Sequence, residues 1–332
     1  MSLRVLALTF GGPETASTYY RIVQYVDILR KGHDIDLVTH RADDFANAPD
    51  PRDFDRVVVQ KKLLRGGERR AVLGAGRPVI YDLDDAIWQP HRRPHSWWTR
   101  WRTNRRLAAM ARGASLCLTS NEYLSAGLRR YTARVRILPM ALDESIWTPR
   151  TVAAGGAIRL GWAGAPANLP YLEALEPELE RVLGEFSSAR VAVVSGARPN
   201  FRRIKFDYLP YEAGREAEMV RTFDIGLLPL PRDSFAAGKS PIKALQYMAS
   251  GVPTIADAVA GAEEIFAGGG ARLVREPADW STHLRALLVS PGERARVGGE
   301  ARLRFVANHT RTENARKLAE FLTDPKAIGT VN

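Results

Sequence analysis

A single cysteine, Cys117, is all the thiol in 332 residues, which excludes an intramolecular disulfide, a CxxC redox pair and any cysteine-rich zinc site. Within the apolar run SLCLT it reads as a buried core thiol, and the implied setting is a reducing cytoplasm. Long hydrophobic runs are missing too. The opening MSLRVLALTF has too short an apolar stretch, and no small-residue cleavage site, to read as a secretory signal, and nothing later approaches the ~20 apolar residues of a membrane span. The expectation is a soluble protein, or one that sits on a surface. Acid is in deficit: 37 Asp and Glu against 48 Lys and Arg leave a formal charge of +11, mostly arginine. That balance suits an anionic partner but does not choose among nucleic acid, anionic lipid and phosphorylated small molecules.

What is present is ordinary globular material, 45% hydrophobic and long enough for two cores. LRVLALTF, the turn GGPETAS, the helically spaced YYRIVQYVDILRKGH and the strand IDLVTH make a βαβ unit. RVVVQ, PVIYDL, SLCLTS and VRILPM continue the alternation of short buried strands with helical or loop material. TPRTVAAGGA breaks it, and AIRLGWAG, ARVAVVSG, IKFDYLPY, FDIGLLPLP and VPTIAD restart it, with helices near 169–185, 212–222 and 241–250 and a long helical tail from 291. The expected fold class is therefore α/β: two Rossmann-like domains with parallel sheets facing a central cleft, where loops after the strands collect ligands. The expected boundaries are a first domain over 1–148, a linker at 149–157, a second domain over 158–304, and a terminal helix, 305–332, that crosses back to the first.

The strongest local signal is GKSPIKALQYMASGVP, residues 238–253. Ser240 reads as an N-cap, Pro241 as the first helical residue, Gly251 as the carboxyl-terminal cap and Pro253 as the stop. Such a helix start is an anion site, with Lys239 and Lys243 as two cations beside it; the bland alternative is an ordinary capped helix with solvated lysines.

FDIGLLPLPRDSFAAGKSPIKALQYMASGVPTIA resembles the donor-binding signature of retaining glycosyltransferases of the two-Rossmann-domain (GT-B) architecture, an E-x7-E element ending in an E-A/Y-M-A-x-G-x-P helix. STYYRIVQYVDILRKGHDIDLV, YDLDDAIW, SNEYLSAGL, ILPMALDESIW and GWAGAPANLPYLEAL resemble further elements of that family in its order, YDLDDAIW matching one bacterial subgroup, so the resemblance runs from about residue 4 to 322. It implies a nucleotide diphosphate sugar as donor substrate, with no other cofactor and no metal. The donor-binding positions it points to are Gly11, Gly12, Gly164, Asn168, Tyr208, Leu209, Gly238, Lys239, Ser240, Pro241, Ile242, Lys243 and Gln246. Two of these depart from the family pattern: the second glutamate falls on Gln246, which keeps an amide for ribose hydroxyls but no charge, and the first falls on Gly238. The family's cation pair after the first donor-domain strand is also missing, since GWAGAPANLP offers only Asn168.

In YDLDDAIW an apolar run delivers three carboxylates, Asp82, Asp84 and Asp85. A dehalogenase-type phosphatase would use the first as nucleophile, but Ala86 stands where Thr or Val is expected and the segment follows some 80 residues of α/β chain. A metal-binding DxD is superfluous if a helix start and lysines neutralise the diphosphate. The family resemblance favours catalytic carboxylates that orient the acceptor hydroxyl, take its proton or stabilise charge at the anomeric carbon: Asp84 and Asp85 first, with Asp82 paired to an arginine. Aspartates that merely cap the next segment are the structural alternative.

GGPETAS lacks GxGxxG spacing, which argues against NAD. Arg21 lies early on the first helix, within reach of an acceptor. DYLPYE, 207–212, is expected as the loop that holds the nucleotide base. HRRPHSWWTRWRTNRR interleaves Trp97, Trp98 and Trp101 with arginines and suits an anionic membrane surface or a lipid-linked acceptor, a solvated helix, or stacked bases, in that order; nucleic acid is not expected as a partner. The resemblance thus implies a glycosyltransferase of the cytoplasm or of the inner face of the membrane, acting on a saccharide or lipid-linked acceptor. A non-catalytic sugar- or nucleotide-binding relative is the alternative, and a phosphatase the next.

Overall fold

The computed structural model describes residues 2–90, 94, 96–151 and 155–324, and they form two units, each on a six-stranded sheet whose neighbouring strands are all parallel. By contacts the first unit takes Met1–Ala141, Ala237–Ser240 and Arg311–Asn332, and the second Leu142–Ala236 and Pro241–Thr310. The boundary at Ala141 thus falls ahead of the expected linker, of which 152–154 lie outside the described residues.

In the first unit β1 (Leu3–Thr9), β2 (Ile35–Arg41), β3 (Arg56–Gln60), β4 (Val79–Leu83), β5 (Leu116–Thr119) and β6 (Val135–Ile137) lie in the order β2-β1-β3-β4-β5-β6. Its helices are α1 (Ala16–Arg21), α2 (Val26–His33), α3 (Gly66–Leu73), α4 (Trp97–Gly113) and α5 (Glu122–Arg129); a short 3-10 turn at Val23–Tyr25 splits the single helix expected over YYRIVQYVDILRKGH. Both faces of the sheet are covered, which is why its strands read as nearly continuous apolar runs. Alternation along β4 sends Val79, Tyr81 and Leu83 into the core shared with α4, and Ile80 into the core on the other face.

In the second unit β7 (Ile158–Ala163), β8 (Ala189–Ser195), β9 (Phe206–Pro210), β10 (Ile225–Leu228), β11 (Thr254–Asp257) and β12 (Ala271–Val274) lie in the order β12-β11-β10-β7-β8-β9. This is the doubly wound order of a dinucleotide-type sheet, reversing between β7 and β10. Its helices are α6 (Leu169–Glu173), α7 (Glu176–Glu185), α8 (Glu216–Arg221), α9 (Ser234–Ala237), α10 (Ile242–Ala249), α11 (Ala260–Ile265), α12 (Pro277–Val289) and α13 (Pro291–Asn308). The long tail expected from 291 is two helices, because the chain breaks at His309 and Thr310, where Leu142 N donates to His309 O at 3.0 Å. The second piece, α14 (Arg311–Thr323), belongs to the first unit, with Ala315, Leu318, Ala319 and Leu322 in the core of Val5, Ala7 and Ile80. No described helix is long and apolar enough to cross a membrane.

Candidate functional site

In the first unit the strand order reverses between β1 and β3, and the loops leaving those strands carry the polar groups that the core cannot hold. Asp82 shares the parity of Ile80 and points into the face covered by α1 and α14, where an uncompensated carboxylate would be costly. Arg21 answers it from α1: Nε donates to Asp82 Oδ2 at 3.1 Å, Nη2 to Oδ1, and Nη1 to Leu138 O at 2.5 Å. Each of the two residues is only 2% exposed. Burial pushes the Asp82 carboxyl up, and the Arg21 guanidinium pulls it back. Arg21 is therefore spent on a buried ion pair instead of facing an acceptor or membrane, and Asp82 has the arginine partner considered for it in place of a catalytic position.

Past the end of β4 the other two aspartates turn toward solvent by degrees. Asp84 is buried; its Oδ2 accepts from Ser17 Oγ, while its Oδ1 is buried with no hydrogen-bond donor and lies 3.7 Å from Lys61 Nζ. Asp85 is half-buried and ion-paired to that same Lys61. Lys61 follows β3 with a left-handed backbone (φ 58°), unusual for a side chain with a Cβ, and its ammonium lies 4.8 Å from the Phe10 ring centroid. Burial and the Asp84 charge push the Asp85 carboxyl up, and Lys61 and then Lys239 oppose this. Gln60 completes the layer: its Oε1 accepts from Phe10 N at 3.1 Å and its Nε2 donates to Ser17 Oγ at 3.2 Å. Lys61, Ser17 and Gln60 carry no motif; their sequence signal is position alone, Gln60 ending β3, Lys61 following it and Ser17 opening α1 after the loop from β1. Gly11 and Gly12 lie in the loop after β1, where Gly11 N donates to Thr18 Oγ1 at 3.2 Å and Gly12 O accepts from Thr15 N at 3.0 Å.

Residues 237–240 pack within this first unit. A Cβ at Gly238 would come within 2.6 Å of the Ala86 Cβ and 3.2 Å of Leu124, so the position has no room for the glutamate of the family pattern. Asn121 Nδ2 donates to Gly238 O at 3.0 Å and to Ser240 Oγ at 3.2 Å, and Ser240 Oγ donates to Ser120 Oγ at 3.1 Å. With its hydroxyl engaged there, Ser240 is not the expected N-cap. α10 starts one residue later, at Ile242, with Pro241 at the N-cap and no side chain capping it. Its other end follows the punctuation in the sequence: Gly251 is left-handed (φ 64°), and the bonds Val252 N to Tyr247 O and Gly251 N to Met248 O form a Schellman motif.

In the second unit β7 and β10 pair only over Leu160–Gly161 and Ile225–Gly226. Beyond that the Tyr247 hydroxyl of α10 takes the place of the ladder, accepting from Ala163 N at 3.0 Å and donating to Leu227 O at 3.4 Å. The strands are thus parted at the switch point of the sheet, where an open α/β fold binds ligands. On the same face of α10, three residues apart, stand Lys243 and Gln246. Loss of water pushes the Lys243 amine down to about 8, with Glu216 pulling it upward. Gln246 is 2% exposed and its Oε1 has no hydrogen-bond donor. Gly164 N is already used by Val194 O at 3.0 Å, and Asn168 is exposed beyond it. Tyr208 and Leu209 lie in the edge strand β9, not in a loop, and the Tyr208 hydroxyl donates to Ser195 O at 3.0 Å. Trp97, Trp98 and Trp101 open α4, all exposed; His91, Arg92, Arg93 and His95 lie outside the described residues.

Residues 209–320, which include α10, match the family described as glycosyl transferase-like. The chain also shares its fold with solved glycosyltransferase structures. HepE from Anabaena, solved in complex with UDP, is 14% identical over 97% of this chain and 100% of HepE, with a TM-score of 0.71; a further HepE structure contains UDP-glucose. A glycosyltransferase from Rickettsia africae is 10% identical over 98% of both chains, with a TM-score of 0.70. No curated protein matches by sequence. The first unit thus carries a cluster of carboxylates, and the second an amine and an amide on α10.

Proposed function

We propose that the protein transfers a hexose or similar sugar from a nucleotide diphosphate sugar to a saccharide or lipid-linked acceptor, with retention at the anomeric carbon and without a metal, in the cytoplasm or on the inner face of the membrane, as a step of cell-envelope polysaccharide assembly. The observation that carries this is the pair on α10. A half-buried amine whose charge is disfavoured by lost hydration and a buried carbonyl oxygen without a donor, side by side at the switch point, are costly in an empty site and suit a ligand that is anionic at one end and bears hydroxyls at the other. A nucleotide diphosphate has both. HepE, of the same fold, holds UDP-glucose, so a uridine donor is the first to test.

Transfer breaks the anomeric carbon–oxygen bond, the diphosphate leaving with the electron pair, and forms a bond to the acceptor oxygen, whose proton needs a base. Among the described residues Asp84 Oδ1 is the one buried carboxylate oxygen that accepts no hydrogen bond, and Asp85, its carboxyl pushed up, is the neighbour able to share that proton. Independence from metal is supported by where the charges already go: Asp82 to Arg21, Asp85 to Lys61.

Gln246→Leu tests the donor site. Removing an orphaned buried acceptor raises the melting temperature of the nucleotide-free protein, while loss of one ribose hydrogen bond weakens UDP binding by about 1 kcal/mol, read by calorimetry. Unchanged UDP affinity in this variant would show that α10 does not hold the ribose.

A further inference from the structure

We infer that the amino-terminal half of α4 is a docking surface for an anionic lipid bilayer, placed on the rim of the first unit that carries the Asp84 and Asp85 cluster. Its use in presenting a lipid-linked acceptor rests on the transfer reaction proposed above; the docking itself does not.

The topology fixes the position. β4 ends at Leu83 beside the carboxylates, and α4 returns the chain to the start of β5, so α4 begins at the carboxyl edge of the sheet and runs back along it. Its buried side chains are all in the second half, Leu107, Ala108, Met110 and Ala111. Over 97–106, about 15 Å of helix, only Thr99, Thr103 and Arg106 are half-buried, a single stripe against the body. The remaining surface is aromatic and cationic. Trp97, Trp98 and Trp101 are 75%, 51% and 46% exposed. Trp98 and Trp101 stack at 4.9 Å and 18°, Trp97 meets Trp98 edge-on at 5.2 Å, and the Arg105 guanidinium lies 5.3 Å from the Trp101 ring centroid.

Three adjoining indoles in water form an apolar patch of the kind that marks an interaction surface. Its charge says with what. α4 holds five arginines and no carboxylate, and Arg100, Arg102, Arg105 and Arg106 have no carboxylate partner among the described residues. On other helices exposed arginines sit among carboxylates, Arg296 between Glu293 and Glu300 and Arg316 between Glu313 and Glu320. The α4 face therefore repels a second copy of itself and attracts an anion. The Trp98–Trp101 stack is already closed, which leaves no slot between those rings for a base. An anionic bilayer satisfies both halves at once, with indoles at headgroup depth and guanidiniums on lipid phosphates.

The test is co-sedimentation of the full chain with phosphatidylcholine vesicles, with and without phosphatidylglycerol. The expected result is binding to the anionic vesicles alone, lost at high salt, reduced about tenfold in W97S/W98S/W101S and abolished in R100E/R102E/R105E. Melting temperature and UDP affinity stay at wild-type values in both variants, since neither touches a core or α10. Failure of the wild-type protein to bind anionic vesicles at low salt overturns the proposal, as does binding that neither variant changes. A solution dimer that W97S/W98S/W101S turns to monomer with vesicle binding intact would give the patch to a second copy. Tighter retention on single-stranded oligonucleotide than on anionic vesicles would give it to nucleic acid. Absence of UDP binding by the wild-type chain would instead defeat the transfer reaction and leave the vesicle result standing.

Discussion

The two units solve the same problem, polar groups at the carboxyl edge of a parallel sheet, in opposite ways. In the first, charge is met by charge inside the fold: Arg21 holds Asp82, Lys61 holds Asp85, Ser17 holds one oxygen of Asp84, and a single oxygen, Asp84 Oδ1, is left over. In the second, α10 presents a Lys243 amine driven toward neutrality and a Gln246 carbonyl with nothing to accept from. A site completed by its own side chains is built in advance and suits a chemical step. One that leaves its groups short of partners is completed by what it binds, and gives up stability until then.

The sharpest way to break that contrast is to open the first unit's ion pair. Arg21→Met leaves Asp82 as a buried carboxylate without a partner and lowers unfolding stability by about 3 to 5 kcal/mol in urea titration, and combining it with Asp82→Leu recovers most of the loss. A midpoint equal to wild type would mean that the pair is not a structural keystone. Next in size, Asp84→Asn keeps shape and fold but lowers turnover about 100-fold or more while UDP affinity barely moves; Asp85→Asn has the smaller effect, because that carboxylate is already tied to Lys61. Lower melting temperature with near-normal turnover at both positions would make them loop caps. The smallest effect is in the second unit: Lys243→Met weakens UDP binding by about 1 to 3 kcal/mol. Lost hydration pushes the free amine down to about 8, so the ammonium needed for a diphosphate is favoured below that pH and disfavoured above it. Wild-type affinity should fall as pH rises through 8, and the methionine variant should show a flatter profile over the same range.

The sheets were legible in the sequence because parallel strands buried on both faces leave continuous apolar runs with turn residues between them, and the second half of α10 was legible because Gly251 announces its own backbone angle. Side-chain partnerships were not. Ser17 and Asp84 are 67 positions apart, Arg21 and Asp82 61, and no local pattern records such a pair. Ser240 shows how local grammar fails: serine before proline reads as a cap, but its hydroxyl is taken by Ser120 and Asn121, brought beside it by the fold. Tyr247 was hidden for a different reason, since a tyrosine in a helix gives no hint that its hydroxyl will replace a rung between two strands.

α14, made after the whole of the second unit, closes the first core. Its Ala315, Leu318, Ala319 and Leu322 pack with Val5, Ala7 and Ile80, Asn314 Nδ2 donates to Pro139 O at 2.6 Å, and Arg56 donates to the Leu322 carbonyl. During synthesis, then, the unit that emerges first cannot finish folding first: its apolar face, with the Arg21–Asp82 pair beneath, stays open until some 170 further residues have left the ribosome. α14 thus ties the two units' folding together, since a product cut short anywhere in the second unit lacks the part that seals the first.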